Sequence, residues 1–396
     1  MQLKPEELFI LSAANIKPQA EELERMNQLI LQIKDWDYFT NLAIKRQMGA
    51  ILYKKLPMLS NSKDIPENVK VQLKQAWLKT LSRSMVLIDH FKKIVLAFQT
   101  ENIQVIALKG IYLSEWLYQE IGLRQFSDID LLVKKEDGEK ALDTLRELGY
   151  KPSESGIIIP ESMKVFVAAA HFPPMLQNGV SIEIHTRIHN EFEDYETDIN
   201  ELWKNAVPVM IHGVQAMTLS DTYLLLHLCL HLDKHFKAGK IQFTCLYDIT
   251  NLLNQYSEDF DWDAFSDICK RFKAIDHTYK YLILCNKYFG AKLSDELISL
   301  YGPTLQKIDE DLLLKYLVSG GSQNVYSLSI VKKIGRIKDW KDKIIYMQQM
   351  IFPPKLFMMQ RYHLKSKPQL LIYYPYRIFV GIGWGVRAFL GLFRKL

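Results

Sequence analysis

Cysteine is scarce in this 396-residue chain: there are four, Cys229, Cys245, Cys269 and Cys285, and no C-x-x-C pair among them. That spacing argues against a structural zinc site, and the four read as reduced core thiols of a cytoplasmic protein. Several catalytic signatures are missing as well. There is no G-x-x-x-x-G-K-[ST] phosphate loop and no G-x-S-x-G turn, and Leu228 stands where an H-E-x-x-H motif starting at His227 needs glutamate. P-loop hydrolysis, acyl transfer on a nucleophile elbow and zincin proteolysis therefore lose their support. The first nine residues are polar and acidic, so no targeting segment is apparent there. The longest charge-free run near the C-terminus, residues 378–386, has nine residues, whereas a bilayer span needs about 20.

What is present is ordinary globular composition, 48% hydrophobic and 24% charged, and enough length for two or three domains. The net charge of +5 is unevenly spread. Residues 331–396 hold 14 Lys/Arg against two acids, and the other 330 residues hold 36 basic and 43 acidic side chains. A basic tail on a mildly acidic body points to an anionic partner surface, nucleic acid or lipid.

Apolar residues recur at helical spacing over 3–57 and again, after a polar loop at 60–67, over 69–100. Residues 1–100 thus read as an N-terminal helical region. The texture changes at Asn102. Residues 103–108 read as a strand, 111–120 as a helix, 128–133 (DIDLLV) as a strand with an exposed start, 136–149 as a helix ending at a glycine, and 180–185 (VSIEIH) as a strand. This order predicts an α+β core with a small mixed sheet at 101–215. From Ser220 the pattern is helical, which divides the rest into a helical domain at 216–330 and a basic helical tail at 331–396.

The chemistry lies in the core. Residues i and i+2 of a strand point to one side, so Asp128 and Asp130 set two carboxylates together at a strand's start. Such a pair is costly unless a cation compensates it. Mg²⁺ (or Mn²⁺) bound to one or two carboxylates and phosphate oxygens meets the need. Glu183, in another alternating strand, would add a third carboxylate. Gly110, between a strand and a helix, would let backbone N–H groups approach a phosphate, with Lys109 and Arg124 as further phosphate contacts.

The runs A-L-K-G (107–110), R-Q-F-S-D-I-D-L-L-V (124–133) and I-E-I-H (182–185) resemble the bacterial family of uncharacterised nucleotidyltransferases, within the polymerase-β-type superfamily. The resemblance extends over most of residues 20–380, including H-L-C-L-H-L-D-K-H (227–235), K-I-Q-F-T-C-L-Y-D-I (240–249), I-F-P-P (351–354) and R-Y (361–362), although only the core motifs are specific. It implies transfer of a nucleotidyl group from a nucleoside triphosphate, with Asp128 and Asp130 as the metal pair and Glu183 as the third metal acid. Gly110 falls where the superfamily has a Gly-Ser or Gly-Gly turn, but the turn here is Lys-Gly-Ile, without the serine hydroxyl. By a further similarity to nucleotidyltransferase toxins, Lys240 would touch phosphate or nucleotide, and Asp248 would be an acid near the reacting centre. The acceptor stays open: RNA, protein, sugar or metabolite. Two other classes stay open too, a non-catalytic nucleotide-binding protein and a membrane-peripheral accessory protein, for instance in surface-polysaccharide biosynthesis.

His227, His231 and His235 share one helix face at i, i+4 and i+8. The expectation is that His227 packs in the core, that His231 and His235 line the nucleotide cleft or hydrogen-bond neighbours, and that no transition metal is bound. His185 and His189 read as structural neighbours of Glu183. The segment 369–396 either packs on the body, the first reading, or lies at a membrane surface with its arginines toward anionic headgroups.

Overall fold

The computed structural model describes residues 3–153, 172–189, 193–237, 241–256, 260–307, 310, 314, 340–353, 355–362, 364 and 366–393. Five helices open the chain: α1 (Pro5–Ser12), α2 (Ala20–Ile30), α3 (Trp36–Lys45), α4 (Gly49–Lys55) and the 34-residue α5 (Glu67–Thr100). The apolar spacing of α5 buries Leu73, Leu87, Phe91, Ile94 and Phe98 along one side.

Seven strands then form one mixed sheet in the order β3-β4-β5-β2-β1-β7-β6. They are β1 (Val105–Leu108), β2 (Asp128–Val133), β3 (Lys151–Pro152), β4 (Met175–Gln177), β5 (Val180–His185), β6 (Ala206–Ile211) and β7 (Val214–Leu219). Helices α6 (Gly110–Trp116), α7 (Gly138–Glu147) and α8 (Ile199–Lys204) lie between strands. The α+β class matches the expectation, and the sheet is larger than the three expected strands. The four additional strands belong to short antiparallel pairs. Two of the pairs turn on Asn178-Gly179 and His212-Gly213, where both residues of each turn have positive φ. Such two-residue loops match the twist of a hairpin.

At the centre, β2 runs antiparallel to β1 and parallel to β5. The parallel register sets Asp128 opposite Ser181, Asp130 opposite Glu183 and Leu132 opposite His185. Since alternate residues share a face, 128 and 130 stand on the same side as 183 and 185. Ile129, Leu131, Ile182 and Ile184 fill the other side and are buried.

The helical second half contains α9 (Asp221–Lys237), α10 (Phe243–Gln255), α11 (Trp262–Arg271), α12 (Ile275–Phe289) and α13 (Asp295–Tyr301). One continuous hydrophobic cluster runs from Phe9 of α1 through the sheet to Leu284 of α12 and Leu314. All four cysteines are unpaired thiols inside the protein. Among the described residues, three helices follow in the tail: α14 (Trp340–Ile351), α15 (Lys355–Arg361) and α16 (Leu370–Phe393). There Met358, Leu364 and Leu370 make a small cluster of their own.

Candidate functional site

The acidic side of the sheet faces α9 and the start of α10 across a cleft of about 390 Å³, a size suited to a small-molecule ligand. Asp128, Asp130 and Glu183 all line it, so the three acids converge as their strand periodicity requires.

Asp130 is the buried centre of the group. His185 donates from Nε2 to its Oδ1 at 2.8 Å, and Lys109 Nζ lies 3.1 Å from the same oxygen. Glu183 Oε2 is 3.6 Å from His185 Nε2. Burial alone would raise the Asp130 carboxyl, but the Lys109 ammonium and the His185 hydrogen bond hold it well below the usual carboxylate range. Asp128 behaves in the opposite way. Burial and the negative charge of Asp130 push its carboxyl up, and the more distant cations Lys109 and Arg124 do not overcome them. The resident cations therefore satisfy one carboxylate of the pair and leave its neighbour under-compensated.

A metal ion fits that arrangement. One ligand atom from each of Asp130, Glu183 and His185 lies within 4.8 Å of the others. Asp128 adds an acidic group whose charge is not matched locally. The donor set that meets at this spacing is two carboxylates and an imidazole, while Asp128 lines the same cleft outside that group. Carboxylates favour Mg²⁺ or Mn²⁺, and the imidazole favours softer transition metals. His185, expected to be a structural neighbour of Glu183, offers a ligand atom of its own to this group. Its i+2 spacing from Glu183 was the signal that it shares the acidic face.

Lys109 carries the unusual backbone. Its φ of 46° and ψ of −113° put a non-glycine residue in a sparsely populated region, and such strain gathers at functional sites. The positive φ of this turn falls on Lys109, not on the glycine that follows it. Gly110 is needed for another reason: a Cβ there would meet the Arg124 guanidinium at 2.9 Å and Phe126 Cβ at 3.0 Å. Burial opposes the Lys109 charge, but Asp130 and Asp128 outweigh it and raise the ammonium above its ordinary value. On its other side Lys109 Nζ donates to His231 Nδ1 at 3.4 Å. That leaves the proton of a neutral imidazole on Nε2, which donates to Gln242 Oε1 at 3.1 Å. Burial and the Lys109 charge keep His231 well below the usual histidine value, so it stays neutral.

Arg124 lines the cleft too, and its far side is fixed. Its Nε and a terminal nitrogen grip Asp248 at 2.9 and 2.6 Å, and the Tyr118 hydroxyl donates to Asp248 at 2.9 Å. Asp248 is 0% exposed and not among the cleft-lining residues. The structure brings this acid to Arg124 and not to the carboxylate group. Lys240, the other residue taken from the toxin similarity, lies outside the described residues.

Some lining residues were not singled out from sequence. Lys234 follows His227 and His231 on α9 at i+7 and i+3, a spacing that could have revealed it. It makes no hydrogen bond or ion pair among the described residues. Burial and the nearby Lys109 lower its ammonium from the ordinary value. His227, expected in the core, is buried and also lines the cleft with His231 and His235, and neither of its ring nitrogens has a hydrogen-bond partner among the described residues. Buried polar atoms are normally satisfied, so these have capacity left for a ligand. Lys45 and Arg46 reach the cleft from the end of α3, with Arg46 stacked over Phe243. No local pattern links them to strands more than 60 residues away. Cys245 also lines the cleft, but burial pushes its thiol up to about 12, which rules it out as a thiolate near neutral pH.

Among known proteins, a family model described as uncharacterised nucleotidyltransferase matches residues 33–290, a span that holds every side chain lining the cleft. No curated protein and no solved structure matches the chain.

Proposed function

The chain belongs to the uncharacterised nucleotidyltransferase family, and from that premise we propose that it moves a nucleoside monophosphate from a nucleoside triphosphate to a hydroxyl-bearing acceptor and releases pyrophosphate. The observation that carries this reading is the meeting of three carboxylates with a ring of cations in one cleft. The acids suit a divalent ion, and the cations suit the phosphates of its nucleotide.

Asp128, Asp130 and Glu183 would hold Mg²⁺ or Mn²⁺, which when bound neutralises phosphate charge and polarises the reacting oxygens. Lys109 compensates Asp130 before nucleotide arrives, and its single point charge can then serve the phosphates. Arg124, anchored from behind by Asp248, offers the terminal nitrogen beside Gly110 to the same anion. We assign Asp248 this positioning role. Lys234 supplies a third phosphate contact, and the neutral His231 keeps Lys109 in place.

In the reaction, the acceptor oxygen bonds to the α-phosphorus while the bond from that phosphorus to the bridging oxygen breaks. Pyrophosphate leaves with the electron pair. The hydroxyl proton goes to a carboxylate facing the cleft; Glu183 faces it, whereas both oxygens of Asp248 are engaged.

The ion pair of Lys109 with Asp130 favours a second reading, a nucleotide-binding protein in which the lysine permanently takes the metal's place. One experiment separates the two. The protein is incubated with each α-³²P nucleoside triphosphate, divalent metal and a cell extract, alongside an Asp128→Asn/Asp130→Asn variant. Labelled acceptor together with release of unlabelled pyrophosphate by the native protein, and neither with the variant, is the expected result. Transfer retained by the variant sinks the catalytic proposal. Metal-independent nucleotide binding without product establishes the second reading.

A further inference from the structure

The basic tail has an exposed surface that the cleft chemistry does not use. On α14 the exposed side chains Trp340, Ile344, Met347 and Ile351 recur at i, i+4, i+7 and i+11, a single stripe along the helix. On α16 Leu371 (80% exposed), Ile372, Tyr376 and Phe379 (76%) fall on one side of the helix. An amphipathic helix normally turns such a stripe toward a core. Here the inward side of α16 is already in use. Leu370 sits in the small cluster with Met358 and Leu364, Tyr373 and Tyr374 pack against that cluster, and Arg377 lies over Phe357.

Charge indicates what covers the stripes. Residues 331–396 hold 14 Lys/Arg and two acids, and α16 contains no acid. Lys341, Lys355 and Lys367 are exposed beside the apolar faces. Two copies meeting through so basic a surface would repel one another. Apolar stripes rich in Trp, Tyr and Phe, bordered by lysines, match the boundary between lipid headgroups and acyl chains. Among the described residues, no helix is long and apolar enough to cross a membrane.

We propose that residues 340–393 dock the protein on an anionic lipid surface, with the stripes of α14 and α16 in the bilayer interface and the lysines on the headgroups. This would confine the cleft to the membrane surface, whatever its acceptor.

The test is flotation of the full-length protein with phosphatidylcholine vesicles, with and without phosphatidylglycerol. Binding is expected with the anionic vesicles only and should weaken as salt rises. Leu371→Glu/Phe379→Glu should weaken it by about tenfold or more, and a Lys341→Gln/Lys355→Gln/Lys367→Gln variant by roughly fivefold per lysine. Circular dichroism and denaturant unfolding identical to the parent show that both variants remain folded. The second variant alters only exposed side chains, so it still decides the matter if the first unfolds. Absent flotation, equal flotation on neutral vesicles, or unchanged binding by the folded variants overturns the proposal. So does a salt-resistant dimer that Leu371→Glu/Phe379→Glu dissociates, because a second copy would then own the stripe.

Discussion

Asp233 and Lys234 are neighbours on α9, yet they serve two charged clusters of opposite kind. Asp233 points away from the cleft and is saturated. Lys280 and the Tyr281 hydroxyl reach Oδ1 at 2.6 and 2.9 Å, and Lys237 and His277 reach Oδ2 at 2.8 and 2.9 Å. Lys234 and His227 face the cleft with hydrogen-bonding capacity left over, opposite an Asp128 that its neighbours do not compensate. Both clusters bury charge, at a cost that only partners can offset. Where every lone pair has a partner and no cavity adjoins, the cluster serves the fold. Where partners run short beside a cleft, the missing ones are expected to come from a ligand.

The strongest way to break this comparison is to remove one acid from each cluster. Asp233→Ala should cost about 3–5 kcal/mol in denaturant unfolding, since it leaves the lysines without a counter-charge. Asp130→Asn should cost much less stability but lower nucleotidyl transfer on the order of 10³-fold. Equal losses of stability would erase the distinction. The acid limb sharpens it. Burial would raise the Asp233 carboxyl, but the His277 hydrogen bond and the Lys280 and Lys237 charges outweigh burial and hold it far below the usual range. Its stabilisation is therefore complete above the unfolded value of about 3.9 and is lost as pH falls toward the folded one. Unfolding measured from neutral pH downward should be steeper for the parent than for Asp233→Ala through that window.

A smaller effect is expected at His185. If it orients Asp130 and does not ligate, His185→Gln should weaken metal affinity by about 10–100-fold without changing the preference between Mg²⁺ and Mn²⁺. A selective loss of Mn²⁺ binding in isothermal titration would make it a ligand instead. The smallest change belongs to Lys234→Met, which should weaken nucleoside triphosphate binding roughly tenfold, the scale of one charge-assisted hydrogen bond. It should leave stability equal or slightly higher, because a buried charge without a partner is removed. Unchanged affinity would take Lys234 out of the phosphate site.

How much of this was legible in the chain depends on the range of each interaction. The D-I-D alternation was enough to put Asp128 and Asp130 on one side of their strand, and the I-E-I-H alternation set Glu183 apart from its isoleucines, because side-chain direction in a strand is local geometry. That the two strands are parallel neighbours was not local. The same rule carried His185, whose position was visible although its bond to Asp130 was not. The hairpin turns Asn178-Gly179 and His212-Gly213 had readable turn chemistry, yet β4 has only three residues and β6 (AVPVMI) carries a proline and no alternation, so neither partner strand stood out.

Local spacing thus determined the α+β class, the face each acid takes within its own strand and the basic character of the tail. The rest needed chain segments far apart in sequence to meet. Arg124 and Asp248 are separated by 124 residues, and their pairing makes an acid expected near the reacting centre the buried counter-ion of a cleft-lining arginine. Lys45 and Arg46 enter the cleft only because α3 packs where it does. Periodicity decides which face a side chain takes, but the partner on that face, and hence whether a buried charge is satisfied or left for a ligand, is decided by packing between distant segments.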